Sequence, residues 1–241
     1  MLNDPYYRAS QYPYQIPDRS YIMEDGTHRL VDHDQLLEGL EGRNPILAVG
    51  SNLSPQQLGR KFPGTGDSVI PVTKIHLRHF DSVYSTHFSS YGSIPATLFP
   101  VQGTEVSLFI NWLNPAQESR MHTTEIASEN YRFCRLNNIE CTIDNGPTLD
   151  HLYVYLSSRG ALSINGSPVP LSAIKAQDRR WAALDQMGIQ DHARAAMAPD
   201  QNVDDFIHAN ISNPDLRRQR TDLLNREAID FTYNDVDVIE S

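Results

Sequence analysis

The spacing of apolar residues predicts strands through the first two thirds of the chain. Residues 46–49 (Ile-Leu-Ala-Val) form a continuous apolar run of the length that a buried strand needs. Residues 106–113 alternate instead, with Val106, Leu108, Ile110 and Trp112 on one face, and Phe109 on the other face indicates burial on both sides. A turn is expected at Gln102-Gly103, before this strand. The remaining predicted strands are 69–77, with 80–88 as its continuation or as the next strand, then 94–99, 131–136, 139–143 and 151–156.

Helix-start signals predict two helices between these strands. Ser54 and Pro55 are typical of an N-cap and a first helical position, and Gln57 completes a variant of the capping box. Residues 114–117 (Asn-Pro-Ala-Gln) repeat this pattern, and the second helix is expected to run to about Thr123. The central part of the chain is therefore predicted to consist of strands with two inserted helices.

The two ends of the chain differ from its middle. Residues 1–25 contain five tyrosines and three prolines with little periodicity, so we interpret them as an extended arm, either packed along the domain or partly disordered. Residues 30–40 predict a short helix with Asp34 as its cap, and Asn165-Gly166 predicts a hairpin within 161–171. After Ser172 the pattern becomes helical. Helices are expected at 173–187, closed by Gly188, at 192–197, at 203–211 and from Asn213-Pro214 to about 229, followed by a polar tail.

Composition and charge narrow the classes of function. The 241 residues include 20 basic and 30 acidic side chains, a formal charge of −10. Nucleic acid and anionic membranes favour clustered positive charge, so neither is expected as the main partner. No stretch approaches the roughly 20 apolar residues of a spanning helix, and no signal-peptide pattern opens the chain. Cys134 and Cys141 lie in predicted strands, which favours reduced structural thiols and a cytoplasmic location.

Neither a metal nor a cofactor is expected. His76 and His79 lie on opposite faces of a strand, so they would form a metal site with His87 only by an accident of folding. The last predicted helix has a basic face, which we interpret as solvated or paired with the acidic excess in preference to a phosphate site. This face consists of Arg217, Arg218, Arg220 and Arg226.

The junction between the first buried strand and the first capped helix is the candidate ligand site. Gly50 follows the apolar run and permits a sharp turn or a close approach by another group. A strand, a glycine turn and a helix start in succession point backbone N–H groups and the positive end of a helix dipole at one spot. Such a spot suits a carboxylate or a phosphate. These residues alone are equally typical of an ordinary strand-to-helix connection.

An ordered set of motifs resembles the γ-glutamylcyclotransferase-like superfamily. Its Y-G-S-N-L loop after the first strand is matched by Gly50, Ser51, Asn52 and Leu53. Further matches are residues 95–98 (Pro-Ala-Thr-Leu), Gly103 with the strand after it, and Trp112-Leu113. The resemblance covers about residues 45–175. It implies an α+β fold with a small mixed β-barrel for this part of the chain. The N-terminal arm and short helix predicted over 1–44 and the helical C-terminal extension predicted over 176–241 lie outside the resemblance.

The resemblance also implies a catalytic acid shortly after the next helix, at Glu125, and a strand-borne tyrosine at Tyr131. The substrate would be bound by the loop from Val49 to Leu53. Val49 departs from the family, which usually has a tyrosine there, so an altered pocket is expected. A second Y-G-S at Tyr91 leads into Ile-Pro instead of a capped helix, and we interpret it as an unrelated loop.

The implied chemistry is cyclisation of a γ-glutamyl amide to 5-oxoproline. The α-amine of the glutamyl group attacks its own γ-carbonyl, so the protein has to supply a proton shuttle, which a single Glu can provide. Three alternatives stay open: transfer of the glutamyl group to an amine, hydrolysis of the amide, and a non-catalytic binding or regulatory module. Without the family resemblance, Glu125 would be interpreted as a solvated carboxylate. The expected partner is a small γ-glutamyl molecule, and the expected assembly is a monomer or a homodimer.

Overall fold

The computed structural model of the chain describes residues 2–32, 36, 39–64, 69–126 and 129–240. Within these ranges the α-helices are Pro5–Ser10 (α1), Pro55–Lys61 (α2), Pro115–Glu125 (α3), Gln186–Met197 (α4), Val203–Ser212 (α5) and Pro214–Leu224 (α6). The strands before residue 130 are Tyr21–Glu24 (β1), Thr27–Leu30 (β2), Asn44–Ala48 (β3), Ile70–Tyr84 (β4) and Ala96–Leu113 (β5). The later strands are Tyr131–Ile143 (β6), Thr148–Ser157 (β7), Ala161–Ile164 (β8), Ser167–Pro168 (β9), Ala176–Gln177 (β10), Ala228–Ile229 (β11) and Val236–Glu240 (β12).

Five strands close into a barrel. They neighbour one another in the order β5-β3-β7-β6-β4, and β4 pairs with β5 again to complete the ring. The β3–β7 pair is parallel and the other four pairs are antiparallel. Apolar side chains from all five strands are buried in the main core. The predicted α+β fold with a small mixed β-barrel is therefore confirmed.

The barrel strands are longer than the sequence predicts. The segments 69–77 and 80–88 join in β4, the segments 94–99 and 106–113 join in β5, and 131–136 joins 139–143 in β6. The predicted turn at Gln102-Gly103 is wrong. Gly103 (φ +92°) lies opposite His79 (φ +66°), and its N–H donates to His79 Nδ1 at 3.1 Å. Two positive φ values at this place make a bulge that bends the strands without ending them.

The sequence suggested an extended N-terminal arm, but the structure forms a helix and a strand there. Residues 5–10 form α1, capped by Asp4, and residues 21–24 form β1, which pairs with β2 and β4. Tyr12 and Tyr14 between them are buried. The helix predicted over 30–40 lies partly outside the described residues, including its cap Asp34, and Leu30 belongs to β2.

The C-terminal third is only partly as predicted. The expected helix over 173–187 is wrong, because Asp185 caps α4 by accepting from the N–H of Gly188 at 2.7 Å. Gly188 therefore lies in the first turn of a helix and does not close one. The last helix ends at Leu224, and the predicted polar tail contains β12, which pairs with β6. The hairpin at Asn165-Gly166 is confirmed, with both residues at positive φ between β8 and β9.

No helix among the described residues is long and apolar enough to cross a membrane.

Candidate functional site

A cavity of about 680 Å³ opens where the loop after β3, the end of α3 and helix α6 meet. Its volume lies within the usual range of small-molecule sites. Six of the seven predicted site residues line it: Val49, Gly50, Ser51, Asn52, Glu125 and Tyr131. Leu53 is instead buried in the core, where its carbonyl oxygen accepts from the hydroxyl of Tyr21 at 2.9 Å.

Glu125 is directed at the loop and not at solvent. It is the last residue of α3, whereas the sequence placed it after the helix. Its Oε1 accepts from Asn52 Nδ2 at 3.2 Å and forms an ion pair with Lys61. The side chain of Glu125 is 16% exposed and that of Lys61 is 4% exposed, so the pair is buried. Two residues that lie 73 positions apart in the chain therefore meet in one cavity.

Lys61 is a site residue that the sequence did not identify. It is the last residue of α2 and also contacts Met121 Sδ at 3.3 Å, one helical turn before Glu125 in α3. Lysine is common in the last turn of a helix because its charge complements the helix dipole. Such a lysine is usually exposed to solvent. No signal in the sequence distinguishes Lys61 from such a residue.

Tyr12 reaches the loop from the N-terminal segment. Its hydroxyl oxygen accepts from the backbone N–H of Ala96 at 2.9 Å and from that of Ser51 at 3.3 Å. Burial raises the pKa of Tyr12 well above its usual range, so the hydroxyl stays protonated. The loop amides are thus only partly free for a ligand. Leu53 N–H donates to the carbonyl of Gly50 at 3.0 Å, and Ser51 N–H is held by Tyr12.

The contact with Tyr12 leaves no room for a side chain at Gly50. A Cβ on Gly50 would lie 2.0 Å from the hydroxyl oxygen of Tyr12 and 3.0 Å from the Cβ of Ala96. The predicted close approach of another group to Gly50 is therefore present, and the approaching group is a tyrosine of the protein itself.

Tyr131 and His87 form an aromatic pair in the cavity wall. Their ring centroids are 5.5 Å apart, and the hydroxyl of Tyr131 donates to the carbonyl of Ala96 at 3.1 Å. Burial, with the nearby Tyr12 and Glu125, raises the pKa of Tyr131 well above its usual range. Burial and then the charge of Arg159 lower the pKa of His87 to about 3, so its imidazole is neutral near pH 7.

Segments outside the recognised motifs complete the cavity. Tyr91, interpreted from the sequence as part of an unrelated loop, lines it, and the guanidinium of Arg8 lies 3.6 Å from the centre of its ring. Helix α6 closes another side, where Thr221 Oγ1 accepts from the N–H of Phe88 at 3.1 Å. The sequence predicted a basic face of four arginines here, and two of them, Arg217 and Arg218, line the cavity, whereas Arg220 and Arg226 do not. Nothing in their spacing indicated that this face turns towards the loop.

In the part of the chain that the structure describes, no three His, Cys, Asp or Glu side chains are grouped as metal ligands. His76 and His79 lie away from the cavity that contains His87.

No protein-family model and no curated protein matches the chain. Solved structures that resemble it include one named gamma-glutamyl cyclotransferase, which is 12% identical, has a TM-score of 0.39 and covers 80% of this chain and 92% of that one. An uncharacterized protein from Homo sapiens is 13% identical with a TM-score of 0.42, covering 80% and 94% of the two chains. A protein from Arabidopsis thaliana, solved in solution, is 12% identical with a TM-score of 0.36, covering 48% and 70%. Likenesses of this extent say nothing about the substrate or activity of this chain.

Proposed function

We propose that this chain is a γ-glutamylcyclotransferase-like enzyme that converts a γ-glutamyl amide into 5-oxoproline and a free amine. The observation that carries the proposal is the approach of Glu125 to the loop, where Oε1 lies 3.2 Å from Asn52 Nδ2 inside the cavity. A solvated Glu at the end of a helix would have no reason to turn inward against Asn52 and a buried lysine. The motif resemblance had assigned both Asn52 and Glu125 to the site.

The reaction needs a proton shuttle more than a protein nucleophile. The α-amine nitrogen of the glutamyl group bonds to its own γ-carbonyl carbon, and the bond from that carbon to the amine nitrogen breaks. On going from α-ammonium to lactam N–H the attacking nitrogen loses two protons: one passes to solvent, and a protein base accepts the other and donates it to the leaving nitrogen. Glu125 carries out both transfers, which is worth on the order of 10²–10⁴-fold in rate. Lys61 acts as a positioning residue, because its contact with Glu125 holds the carboxylate beside the loop.

Tyr12 is the residue best suited to stabilise the oxyanion on the γ-carbonyl. Its hydroxyl accepts from two backbone N–H groups, and among the described residues no atom accepts its own proton. A protonated hydroxyl fixed from both sides can donate to a developing charge without reorganising. Val49 replaces the tyrosine that usually opens the loop in the family, and Tyr12 brings a phenol to the same loop from another segment.

The substrate is a small γ-glutamyl molecule, bound without a metal or an organic cofactor. Cys134 and Cys141 are both buried, and we propose that they are reduced thiols in a cytoplasmic protein. A monomer or a homodimer remains the prediction for the assembly.

Product analysis tests the proposed reaction. The purified protein is incubated with a panel of γ-glutamyl amines and γ-glutamyl amino acids, and 5-oxoproline, glutamate and any transferred γ-glutamyl product are quantified by mass spectrometry. Formation of 5-oxoproline with an equal amount of amine is expected. Glutamate as the product identifies a hydrolase, and a new γ-glutamyl amide identifies a transferase. Binding of the panel with no product identifies the non-catalytic module.

A further inference from the structure

The cavity is strongly basic although the protein is acidic. Its lining holds six basic and two acidic side chains. The whole chain has the opposite balance, with 20 basic and 30 acidic residues. The basic side chains of the cavity are Arg8, Arg60, Lys61, Arg159, Arg217 and Arg218.

These side chains converge from four separate parts of the fold. Arg8 comes from α1, and Arg60 and Lys61 come from α2. Arg159 lies in the turn after β7, and α6 contributes its pair. A solvated basic face belongs to one element, so convergence of this kind indicates a site for anions.

Four of the five arginines make no ion pair with a carboxylate among the described residues. Arg218 pairs with Asp215, and Lys61 pairs with Glu125. A guanidinium has five N–H donors, so most donors of the other four remain available to a ligand. These four arginines are held in place by neutral groups. Arg8 stacks on Tyr91, and Arg60 Nε donates a hydrogen bond to Gln57 at 3.1 Å. Arg159 Nε donates to Asn130 at 2.7 Å, and Arg217 Nη1 donates to the carbonyl of Asn210 at 2.7 Å.

The cations also disfavour one another. Partial burial, followed by the charge of Arg8, lowers the pKa of Arg60. Burial, followed by the charge of Arg218, lowers the pKa of Arg217. An anion bound between such groups relieves the repulsion and replaces the water lost on burial.

A γ-glutamyl group alone does not match this charge, because its single α-carboxylate is accompanied by an α-ammonium. We infer that the amine portion of the substrate carries two or more anionic groups, such as the two carboxylates of an acidic amino acid or a carboxylate and a phosphate ester. This inference rests on the proposed function, since it takes the glutamyl group to lie at Glu125 and the amine portion to lie among the arginines.

Matched dipeptides test the inference. γ-Glutamyl-glutamate and γ-glutamyl-glutamine have the same shape and differ by one charge. A charge-assisted hydrogen bond contributes about 1.5–3 kcal/mol, so kcat/KM is expected to favour the acidic dipeptide by about ten- to a hundredfold. The preference is expected to shrink in 0.5 M NaCl, which screens the partly exposed arginines. γ-Glutamyl-O-phosphoserine tests for a phosphate site. If the arginines prefer a phosphate group, kcat/KM for this substrate exceeds that for γ-glutamyl-glutamate.

Arginine variants locate the preference in the cavity. Arg60→Gln and Arg218→Gln alter exposed side chains, so both variants are expected to fold, which circular dichroism checks. In the double variant the ratio of kcat/KM for the acidic and neutral dipeptides is expected to fall at least threefold towards one. Arg19→Gln is the control, because Arg19 is exposed outside the cavity, and its ratio is expected to stay at the wild-type value.

The outcomes separate this inference from the proposed function. Equal turnover of the two matched dipeptides overturns the inference and leaves the cyclotransferase proposal intact. If no dipeptide is turned over, calorimetric titration of the wild-type protein decides the inference. Tighter binding of γ-glutamyl-glutamate than of γ-glutamyl-glutamine then supports the anion site and removes the proposed reaction. Equal binding or no binding overturns the inference as well.

Discussion

The hydroxyl of Tyr12 occupies the space beside the Cα of Gly50 where a side chain would lie. With a Cβ 2.0 Å from the hydroxyl oxygen of Tyr12, Gly50→Ala must displace a buried ring or the loop. We expect the free energy of unfolding to fall by about 1–3 kcal/mol, the usual cost of overpacking. Urea denaturation measures this loss.

The control for Gly50→Ala is Gly39→Ala, because the nearest atom to a Cβ at Gly39 is 3.7 Å away. The double variant Gly50→Ala with Tyr12→Phe is expected to lose less stability than the sum of the two single variants, since each removes part of the same contact. Additive losses would mean that Gly50 and Tyr12 do not constrain each other.

His87 gives the stability a pH dependence of known sign. Its pKa is about 3 in the folded protein and 6.5 in an ordinary environment. Between these values the unfolded chain binds a proton that the folded protein does not, so the free energy of unfolding falls as the pH drops from 6.5 to 3. One such group changes the free energy of unfolding by up to about 1.4 kcal/mol per pH unit.

Urea unfolding of wild type and His87→Asn from pH 4 to pH 7 measures this contribution. The variant is expected to have the shallower pH dependence. His192→Asn serves as the control, because His192 is exposed on α4 and its removal should leave the slope unchanged. Parallel profiles for wild type and His87→Asn would contradict the neutral, buried histidine.

At the scale of elements, the two predicted helix caps differ in the structure. Asn114 makes the full capping box, accepting from the N–H of Gln117 at 2.9 Å while Gln117 Oε1 accepts from the N–H of Asn114. Ser54 makes no capping bond, and its buried Oγ has no partner. The same sequence pattern therefore predicted both helices correctly and the cap chemistry of only one.

We expect Asn114→Ala to lower the free energy of unfolding by about 0.5–2 kcal/mol, the usual value of an N-cap. Ser54→Ala is the matched variant and is expected to be neutral or slightly stabilising, because it removes a buried hydroxyl that has no partner. Thermal unfolding compares the two. Equal losses would show that the cap of Ser54 forms in solution.

Local patterns predicted the elements that local chemistry determines. The apolar run at 46–49, the Asn165-Gly166 hairpin and the helix after Asn114 each depend on neighbouring residues, and each is present. The error at Gln102-Gly103 arose because glycine at positive φ fits a turn and a bulge equally, and only pairing with His79 decides between them. Likewise, the apolar pattern of 173–187 is helical in period, but in the structure this segment contains β10, which pairs with β5, and irregular backbone before α4.

At the scale of the whole molecule, the C-terminal third is joined to the barrel by buried polar contacts. Arg179 binds both oxygens of the fully buried Asp81 of β4, at 2.8 and 2.9 Å. Trp181 packs on a second apolar cluster, which includes Val83 of β4. We therefore expect residues 176–240 to unfold together with the barrel.

The two tryptophans report on the two parts separately. Trp112→Phe leaves only Trp181, in the C-terminal third, and Trp181→Phe leaves only Trp112, in the barrel strand β5. In each variant the fluorescence and circular dichroism transitions in urea are expected to share one midpoint. An earlier fluorescence transition of Trp181 would instead identify the C-terminal third as an independent unit.

The site as a whole was only partly predictable, because sequence patterns reveal what neighbouring residues determine and not which distant segments meet. The loop and Glu125 were predicted because they belong to one ordered set of sequence motifs. Tyr12, Lys61 and the arginines are positioned by contacts between distant segments, and no local pattern marks them. The contact between Glu125 and Asn52 is therefore the central observation on which the proposed site rests.

The most direct measurement is the initial rate of 5-oxoproline formation by wild type, Glu125→Gln and Glu118→Gln with the best γ-glutamyl substrate. Glu118 lies on the same helix, α3, outside the cavity, and its change to Gln controls for effects on the helix. We expect Glu118→Gln to retain the wild-type kcat and Glu125→Gln to lose about 10²–10⁴-fold, with binding of the substrate preserved. Undiminished activity of Glu125→Gln would contradict its role as the proton shuttle.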